Sequence, residues 1–345
     1  MNAVVYHGPG QKSWERVPDP RIDQPTDAIV RITSSTICGT DLHILKGDVP
    51  EVKDGTVLGH EAIGIVEETG PSVSNLKKGD RVLIPAITAD GHCDFCRQGM
   101  YSHCRSGGWI FGHLIDGLQA EYVRAPYAET SLYRVPEELT DEQVLFLADI
   151  LPTSYECGVL NGQVRPGDTV AVIGAGPIGL AAILLSRLYS PGLIIAVDLE
   201  EARLERARQF GADETIRSGT EDVKDRIMGL TRGQGVDVAM EAVGIPETFE
   251  LCTDLVKPGG RVANIGVHGK PVCLHLERLW AHNITITTRL VDTVSVPQLM
   301  SLIQAGRFDP TLFATHTFAL AEAMAAYDVF SRAGETGALK VVLKQ

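Results

Sequence analysis

The sequence lacks a long uninterrupted apolar run. Its nearest approach, residues 169–185, is broken by three glycines and a proline. A membrane span needs about 20 apolar residues, so this stretch reads as a buried strand, turn and helix. Positive charge is also scarce. Lys and Arg number 31 against 44 Asp and Glu, a formal net charge of −13. No basic patch dominates, which argues against nucleic acid or an anionic membrane as partner. An even, regularly spaced cysteine framework is missing too. The seven cysteines are unevenly clustered. The opening residues MNAVVYHGPGQ do not have the charged-then-apolar pattern of a secretion leader. A disulfide scaffold is therefore disfavoured, and thiolates on metal in a reducing cytosol are expected. There is no internal repeat and no low-complexity tract.

What is present is enough chain for two cores, 345 residues with 44% apolar and 22% charged content. The first 150 residues hold short β-branched runs at 28–32, 63–66 and 81–84, with the turn KKGD (77–80) before the last. They predict a compact, strand-rich domain of barrel type. From Thr169 the texture changes to strand–helix alternation. Strands are expected at 169–173, 193–197, 214–216, 236–240, 261–265 and 284–287. Helices are expected at 178–188, 201–210, 223–231 and 247–256, with Gly211 just past one and Pro258-Gly259-Gly260 ending another. This alternation predicts a doubly wound parallel sheet. Helices at 296–304 and 320–330 and a last strand at 338–343 are expected to rejoin the first domain. The boundaries are thus 1–151, 152–290 and 291–345, with ligand sites in the cleft between domains.

TVAVIGAGPIGL places Gly174-x-Gly176-x-x-Gly179 directly after an apolar strand and before a helix. Gly174 permits the sharp turn, Gly176 lets a pyrophosphate approach the backbone, and Gly179 lets helix and strand pack closely. The helix N-terminus then offers N–H groups to phosphate. Asp198 ends the next strand and would accept from the adenosine ribose hydroxyls. A 2′-phosphate there would meet like charge, so NAD is favoured over NADP. Arg203 lies just over one helical turn on and softens that preference.

Two groups of residues read as metal ligands. Cys38 and His60 supply a thiolate and an imidazole, and a catalytic zinc takes three protein ligands and keeps one open position. Asp149 in VLFLADILP is a carboxylate in an apolar setting that a metal would resolve. With His60 neutral, the ligand charge is −2 and a zinc centre is formally neutral. The second group is Cys93, Cys96 and Cys104, most of a zinc lobe with one ligand missing.

Taken in order, CGTDLH, GHEAIGIVEETG, KKGDRV, the cysteine lobe, the Asp149 segment, GAGPIG and KPGG resemble the zinc-dependent medium-chain alcohol dehydrogenases over nearly the whole chain. GWIFGHLIDGLQAEY (108–122) and the Asp at the third-ligand position resemble the bacterial secondary-alcohol members in particular. The resemblance implies a GroES-like catalytic domain and a Rossmann nucleotide-binding domain. It implies Lewis-acid activation of an alcohol by zinc and hydride transfer to C4 of the nicotinamide. Thr40 would pass the proton to the nicotinamide ribose and His43 would pass it to water. Otherwise His43 is a solvated helix-face residue touching the cofactor phosphate. Asp41 would hold His60, and Glu61 would support or transiently ligate the metal.

The implied cofactor contacts are Gly174, Gly176, Pro177, Ile178, Gly179, Asp198, Arg203, Thr153, Val243, Gly266 and Val267. The implied substrate pocket holds Thr40, Ile87, Trp109 and Leu290, with Val267 beside it. Trp109 also has a reading as domain-interface packing. A pocket of this character takes a hydrophobic alcohol, ketone or aldehyde. The family's second zinc loop is C-x2-C-x2-C-x7-C, and here its first position is Asp90. Asp90 completing Cys93, Cys96 and Cys104, one of His92 and His103 doing so, or an incomplete site all remain open at this stage. Two zincs per subunit and a homo-tetramer or homo-dimer are expected, since the last nucleotide-domain strand would otherwise leave an exposed edge. A polyol or threonine dehydrogenase is the alternative enzyme, and a zinc- and nucleotide-binding sensor without turnover is the alternative outside catalysis.

Overall fold

The computed structural model describes residues 1–345. The chain divides into two compact units, Met1–Asp149 with Asp292–Gln345, and Ile150–Val291.

The first unit is built on the long strand Ala28–Ile37. One edge of it pairs antiparallel with Ala62–Thr69, which continues to Arg81–Ile84 and Tyr133–Arg134. Its other edge is shared. Residues 28–31 pair with Tyr122–Ala125, and residues 34–37 pair with the chain's last strand, Lys340–Lys344, which in turn pairs parallel with Ala314–Ala319. A hairpin of Asn2–Tyr6 and Lys12–Arg16 stands apart.

The strand Ala28–Ile37 runs five residues past the expected 28–32 because its polar tail is satisfied inside the sheet. Ser35 Oγ donates to Glu61 O at 2.9 Å and Thr36 Oγ1 donates to Val341 O at 2.9 Å. Buried hydroxyls with backbone acceptors cost little, so the polar TSST stays in the strand. Apolar side chains from both faces, including Val30, Ile32, Ile37, Val66, Val82, Phe111 and Val341, form its core.

The second unit is a six-stranded parallel sheet. In chain order the strands are Thr169–Ile173, Leu193–Asp198, Glu214–Arg217, Val236–Glu241, Val256–Asn264 and Thr285–Thr288. Their spatial order is third, second, first, fourth, fifth, sixth. The order reverses between the first and fourth strands, and in such sheets ligands bind outside the carboxyl ends at that point. The helix Pro177–Ser186 starts with proline, whose missing N–H costs nothing there. Glu201–Phe210 stops at Gly211 in the left-handed conformation, and Asp222 caps Val223–Leu230 by accepting from Asp225 N at 2.9 Å.

One local expectation shifts. Lys257-Pro258-Gly259-Gly260 lies inside the strand Val256–Asn264 and does not precede it. The register with the fourth strand slips between Val236 and Val238, and such a bulge absorbs the residue that has no N–H. Near the start of this unit a stretch of π-helix, Ser154–Leu160, follows the short helix Ile150–Thr153.

Candidate active site and metal centres

Three separate stretches of the first unit converge on one point. Cys38 follows the strand Ala28–Ile37 and stands at the N-terminus of the helix Gly39–Lys46. His60 and Glu61 lead into the strand Ala62–Thr69. Asp149 follows a 3-10 turn, Leu145–Ala148, which Ala86 N anchors by donating to Ala148 O at 2.9 Å. Donor atoms of Cys38, His60, Glu61 and Asp149 all lie within 4.8 Å of one another. Cys38 Sγ is 3.6 Å from Asp149 Oδ2, and His60 Nε2 is 3.5 Å from the same oxygen and 3.9 Å from Glu61 Oε1.

Sequence reasoning gave no role to Lys340, which sits in this cluster. Its ammonium donates to Glu61 Oε1 at 2.7 Å, with both side chains almost wholly buried. The signal was available: a lysine inside the apolar run ALKVVL needs a partner, by the logic that singled out Asp149.

Burial pushes the Cys38 thiol and the Asp41 and Glu61 carboxyls upward. Burial works against charge on His60, but the Asp149 and Cys38 contacts outweigh it and raise the imidazole well above its usual value. Lys340 is pushed up to about 12, because the attraction of Glu61, Cys38 and Asp149 exceeds the burial penalty. The cluster is therefore crowded with anionic donors that resist ionising together. Lys340 cancels Glu61, and a thiolate and the Asp149 carboxylate leave two negative charges. A divalent ion neutralises them, and thiolate, imidazole and carboxylate are all zinc donors. Glu61 Oε2, buried and without a hydrogen bond, is a further oxygen that fits a cation at this point.

The helix Gly39–Lys46 places Thr40 and His43 three residues apart, on one face. Thr40 Oγ1 lies 3.8 Å from Cys38 Sγ, while His43 is half-exposed and its Nδ1 pairs with Asp48 Oδ2 at 2.8 Å. Trp109 presents its ring edge-on to His60 at 6.3 Å between centroids, and His113 stacks on it at 4.3 Å. Ile87 is buried.

The second cluster gathers Asp90, Cys93, Cys96 and Cys104, again with donors within 4.8 Å of one another. Neither histidine joins it. His92 is 79% exposed, and the His103 ring bonds Ser102 Oγ. Burial works against ionised Asp90, yet the N–H groups of Cys93 and His92, both 2.9 Å from Oδ1, hold its carboxyl well below the usual range. Burial pushes the Cys96 thiol up to about 12. Ser102 ties the lobe to Asp292, donating through N at 2.9 Å and Oγ at 2.6 Å.

In the second unit the glycine loop follows the first strand. A side chain at Gly179 would meet Gly174 O at 1.8 Å, which only glycine avoids, and the space at Gly176 is open. Pro177 and Ile178 open the helix. Asp198 is buried at the end of the second strand. It accepts from Ala175 N at 2.7 Å and Glu200 N at 3.0 Å, and Arg203 stands 3.7 Å away. Asp198 thus also braces the glycine loop, a contact the sequence did not show.

Val243, Gly266 and Val267 follow the fourth and fifth strands, at the same end of this parallel sheet. Val243, Val267 and Leu290 are exposed, and Thr153 closes the short helix Ile150–Thr153. Glu241, unremarked in the sequence, ends the fourth strand. Its Oε1 accepts from Val243 N, Gly244 N and Thr248 Oγ1 at 2.7–2.9 Å, fixing that loop.

A GroES-type unit with two thiolate clusters and a nucleotide-type parallel sheet defines a class, and comparison with known proteins agrees. The family model described as alcohol dehydrogenase GroES-like domain matches residues 24–137, and that described as zinc-binding dehydrogenase matches residues 177–305. The chain belongs to the zinc-dependent medium-chain alcohol dehydrogenase family. It is 39% identical to an alcohol dehydrogenase of Cupriavidus necator over 369 residues, covering 100% of this chain and 98% of that one. A solved zinc-dependent alcohol dehydrogenase 2 from Streptococcus pneumonia, in its apo form, superposes with a TM-score of 0.95 at 51% identity, covering 100% and 98% of the two chains. An NADP-dependent isopropanol dehydrogenase of Thermoanaerobacter brockii is 34% identical over 304 residues, covering 85% and 86%. The chain is thus a zinc alcohol oxidoreductase with a nucleotide cofactor. No helix is long and apolar enough to cross a membrane.

Proposed function

We propose that this protein is an NAD-dependent dehydrogenase of hydrophobic secondary alcohols, working reversibly with the ketone. The convergence of Cys38, His60 and Asp149, beside a Glu61 already neutralised by Lys340, carries the reading. A zinc ion held there would supply Lewis acidity, and NAD⁺ would supply the hydride acceptor.

The chain's own residues do the rest. Cys38, His60 and Asp149 hold the metal, and Asp41 orients His60. Thr40, beside Cys38, takes the substrate proton inward of the helix, and His43, three residues on and half-exposed, delivers it to water. The Asp48 carboxylate accepts from His43 Nδ1, which leaves Nε2 free to receive a proton. Trp109 and Ile87 give the substrate apolar walls, and Thr153 meets the nicotinamide. A second zinc, held by Asp90, Cys93, Cys96 and Cys104 with no open position, is structural.

Asp198 supports NAD over NADP, because a 2′-phosphate would approach a buried carboxylate. Seven free thiols suit the reducing cytosol. The exposed edge strand Thr285–Thr288, near Trp280 in sequence, supports assembly into a dimer or tetramer.

The test is a panel of 2-butanol, sorbitol and threonine, assayed with NAD⁺ and NADP⁺. The expected result is turnover of 2-butanol with NAD⁺, and a fall of roughly tenfold or more in the NAD/NADP preference, about 1.4 kcal/mol, in Asp198→Gly. Preferred turnover of sorbitol or threonine would move the substrate class. No turnover of any alcohol by zinc-loaded protein would leave a binding protein without catalysis.

A further inference from the structure

Gln119 lies far from the metal ligands in the chain and is fully buried. Its backbone is pinned on both sides, with N donating to Leu58 O at 2.9 Å and O accepting from Val4 N at 2.9 Å. Its side-chain amide has two different ends, and each has a partner of the matching kind. Nε2 donates to Asp41 Oδ2 at 3.1 Å and to Thr36 O at 3.4 Å. Oε1 accepts from the Tyr327 hydroxyl at 2.8 Å. Tyr327 comes from the C-terminal helix Ala323–Ser331 and is 1% exposed. Burial raises its phenol well above the usual value, so it remains a donor. Lys12 Nζ lies over its ring, 4.8 Å from the centroid.

The sense of the chain is therefore fixed. Asp41 Oδ2 takes N–H groups from Gln119 and from Cys38, the latter at 2.9 Å. Asp41 Oδ1 is buried, makes no hydrogen bond, and lies 3.8 Å from His60 Nδ1. With Oδ2 filled by donors, Oδ1 is the oxygen left for His60. A proton on Nδ1 leaves the Nε2 lone pair for the metal, and Nε2 is the atom that faces Asp149 and Glu61. Gly59, next to His60, is shaped to this arrangement. It holds φ +93, and a side chain there would strike Gln119 Cγ at 2.6 Å.

We propose that Tyr327 and Gln119 are positioning residues of the Cys38–His60–Asp149 centre, fixing the Asp41 carboxylate so that it commits His60 to bind zinc through Nε2. The inference rests on the zinc-centre reading above and adds two residues to it. Without the Tyr327 hydroxyl the amide oxygen loses its donor, and the amide is held only through Nε2 on Asp41 and Thr36. The Asp41 carboxylate would then be less firmly posed. Partners of this kind change metal affinity by about 10–100-fold when lost.

The experiment compares Tyr327→Phe, Gln119→Met and the double variant as full-length zinc enzymes. Zinc affinity is measured by competition with a chromophoric chelator. Cobalt(II) replacing zinc reports ligand geometry by its d–d absorption, and 15N-histidine spectra report the His60 tautomer. Each single variant should bind the catalytic zinc roughly tenfold more weakly, with an altered cobalt band. The double variant should be no weaker than Gln119→Met, since both substitutions break one chain of contacts. Folded single variants with wild-type zinc affinity and cobalt spectrum would overturn the proposal, as would strictly additive losses. If Tyr327→Phe fails to fold, Gln119→Met decides alone. His60→Ala separates the two levels. Unchanged zinc content in that variant defeats the metal-centre reading itself. Zinc loss there, with no effect from Tyr327→Phe or Gln119→Met, defeats only the positioning role.

Discussion

Lys340 is the residue whose charge makes the rest of the proposed metal centre tenable. It meets Glu61 at 2.7 Å with neither side chain in reach of solvent. Removing one partner of such a pair strands the other charge and costs about 3–5 kcal/mol. Lys340→Met is expected to lose stability of that order in chemical denaturation of the zinc protein, and a loss under about 1 kcal/mol would show that Glu61 is satisfied without it. The pH dependence has a definite sign. The folded-state value is raised from 10.5 to about 12. The stability it contributes is therefore full below 10.5 and disappears as the pH climbs through about 12. Wild-type unfolding between those pH values should steepen relative to Lys340→Met. Cys38, His60 and Asp149 were legible as candidates because each has a metal-ligating side chain in a telling context. Lys340 could be flagged from its apolar run but not given a partner, and Gln119 and Tyr327 were not legible, because an amide and a phenol have no meaning until a fold brings them against those donors.

The lobe from Asp90 to Cys104 shows what an element can add to spacing. The sequence left an aspartate, two histidines and an incomplete site as rivals for the fourth position. The fold gathers Asp90 with the three sulfurs and turns His92 out to solvent. A side chain adjacent to a cysteine ligand points away from it, and the amides of His92 and Cys93 lock Asp90 inward. Asp90→Ala is expected to lower lobe zinc content and melting temperature while turnover per catalytic zinc stays near wild type. Metal analysis with calorimetry and steady-state assay checks this. A collapse of turnover in folded enzyme with its catalytic zinc loaded would end the division of labour between the two centres. At the same scale, TSST escaped a strand assignment because its hydroxyls found carbonyls 26 and 305 residues away in sequence.

For the molecule as a whole, the open feature is the edge of the parallel sheet. Thr285–Thr288 has a neighbour on one side only, and the segment before it exposes Leu274, Leu276 and Trp280, the last at 79%. Edge strands with apolar flanks invite pairing, and a second copy of this chain would satisfy both. Light scattering should find a dimer or larger, and Trp280→Glu should shift it toward smaller species. A monomeric wild type at assay concentrations would remove the proposed assembly.

By itself the sequence determined the class of fold, the glycine loop and two sets of metal donors. Those signals are local: hydrophobic period, turn chemistry and short spacings of reactive side chains. Only the tertiary structure decided that Cys38, His60, Glu61 and Asp149 share one point, that Lys340 balances them, and that Tyr327 and Gln119 stand behind Asp41. Partners 78 to 279 residues apart meet through sheet register and burial, and no local pattern encodes that meeting.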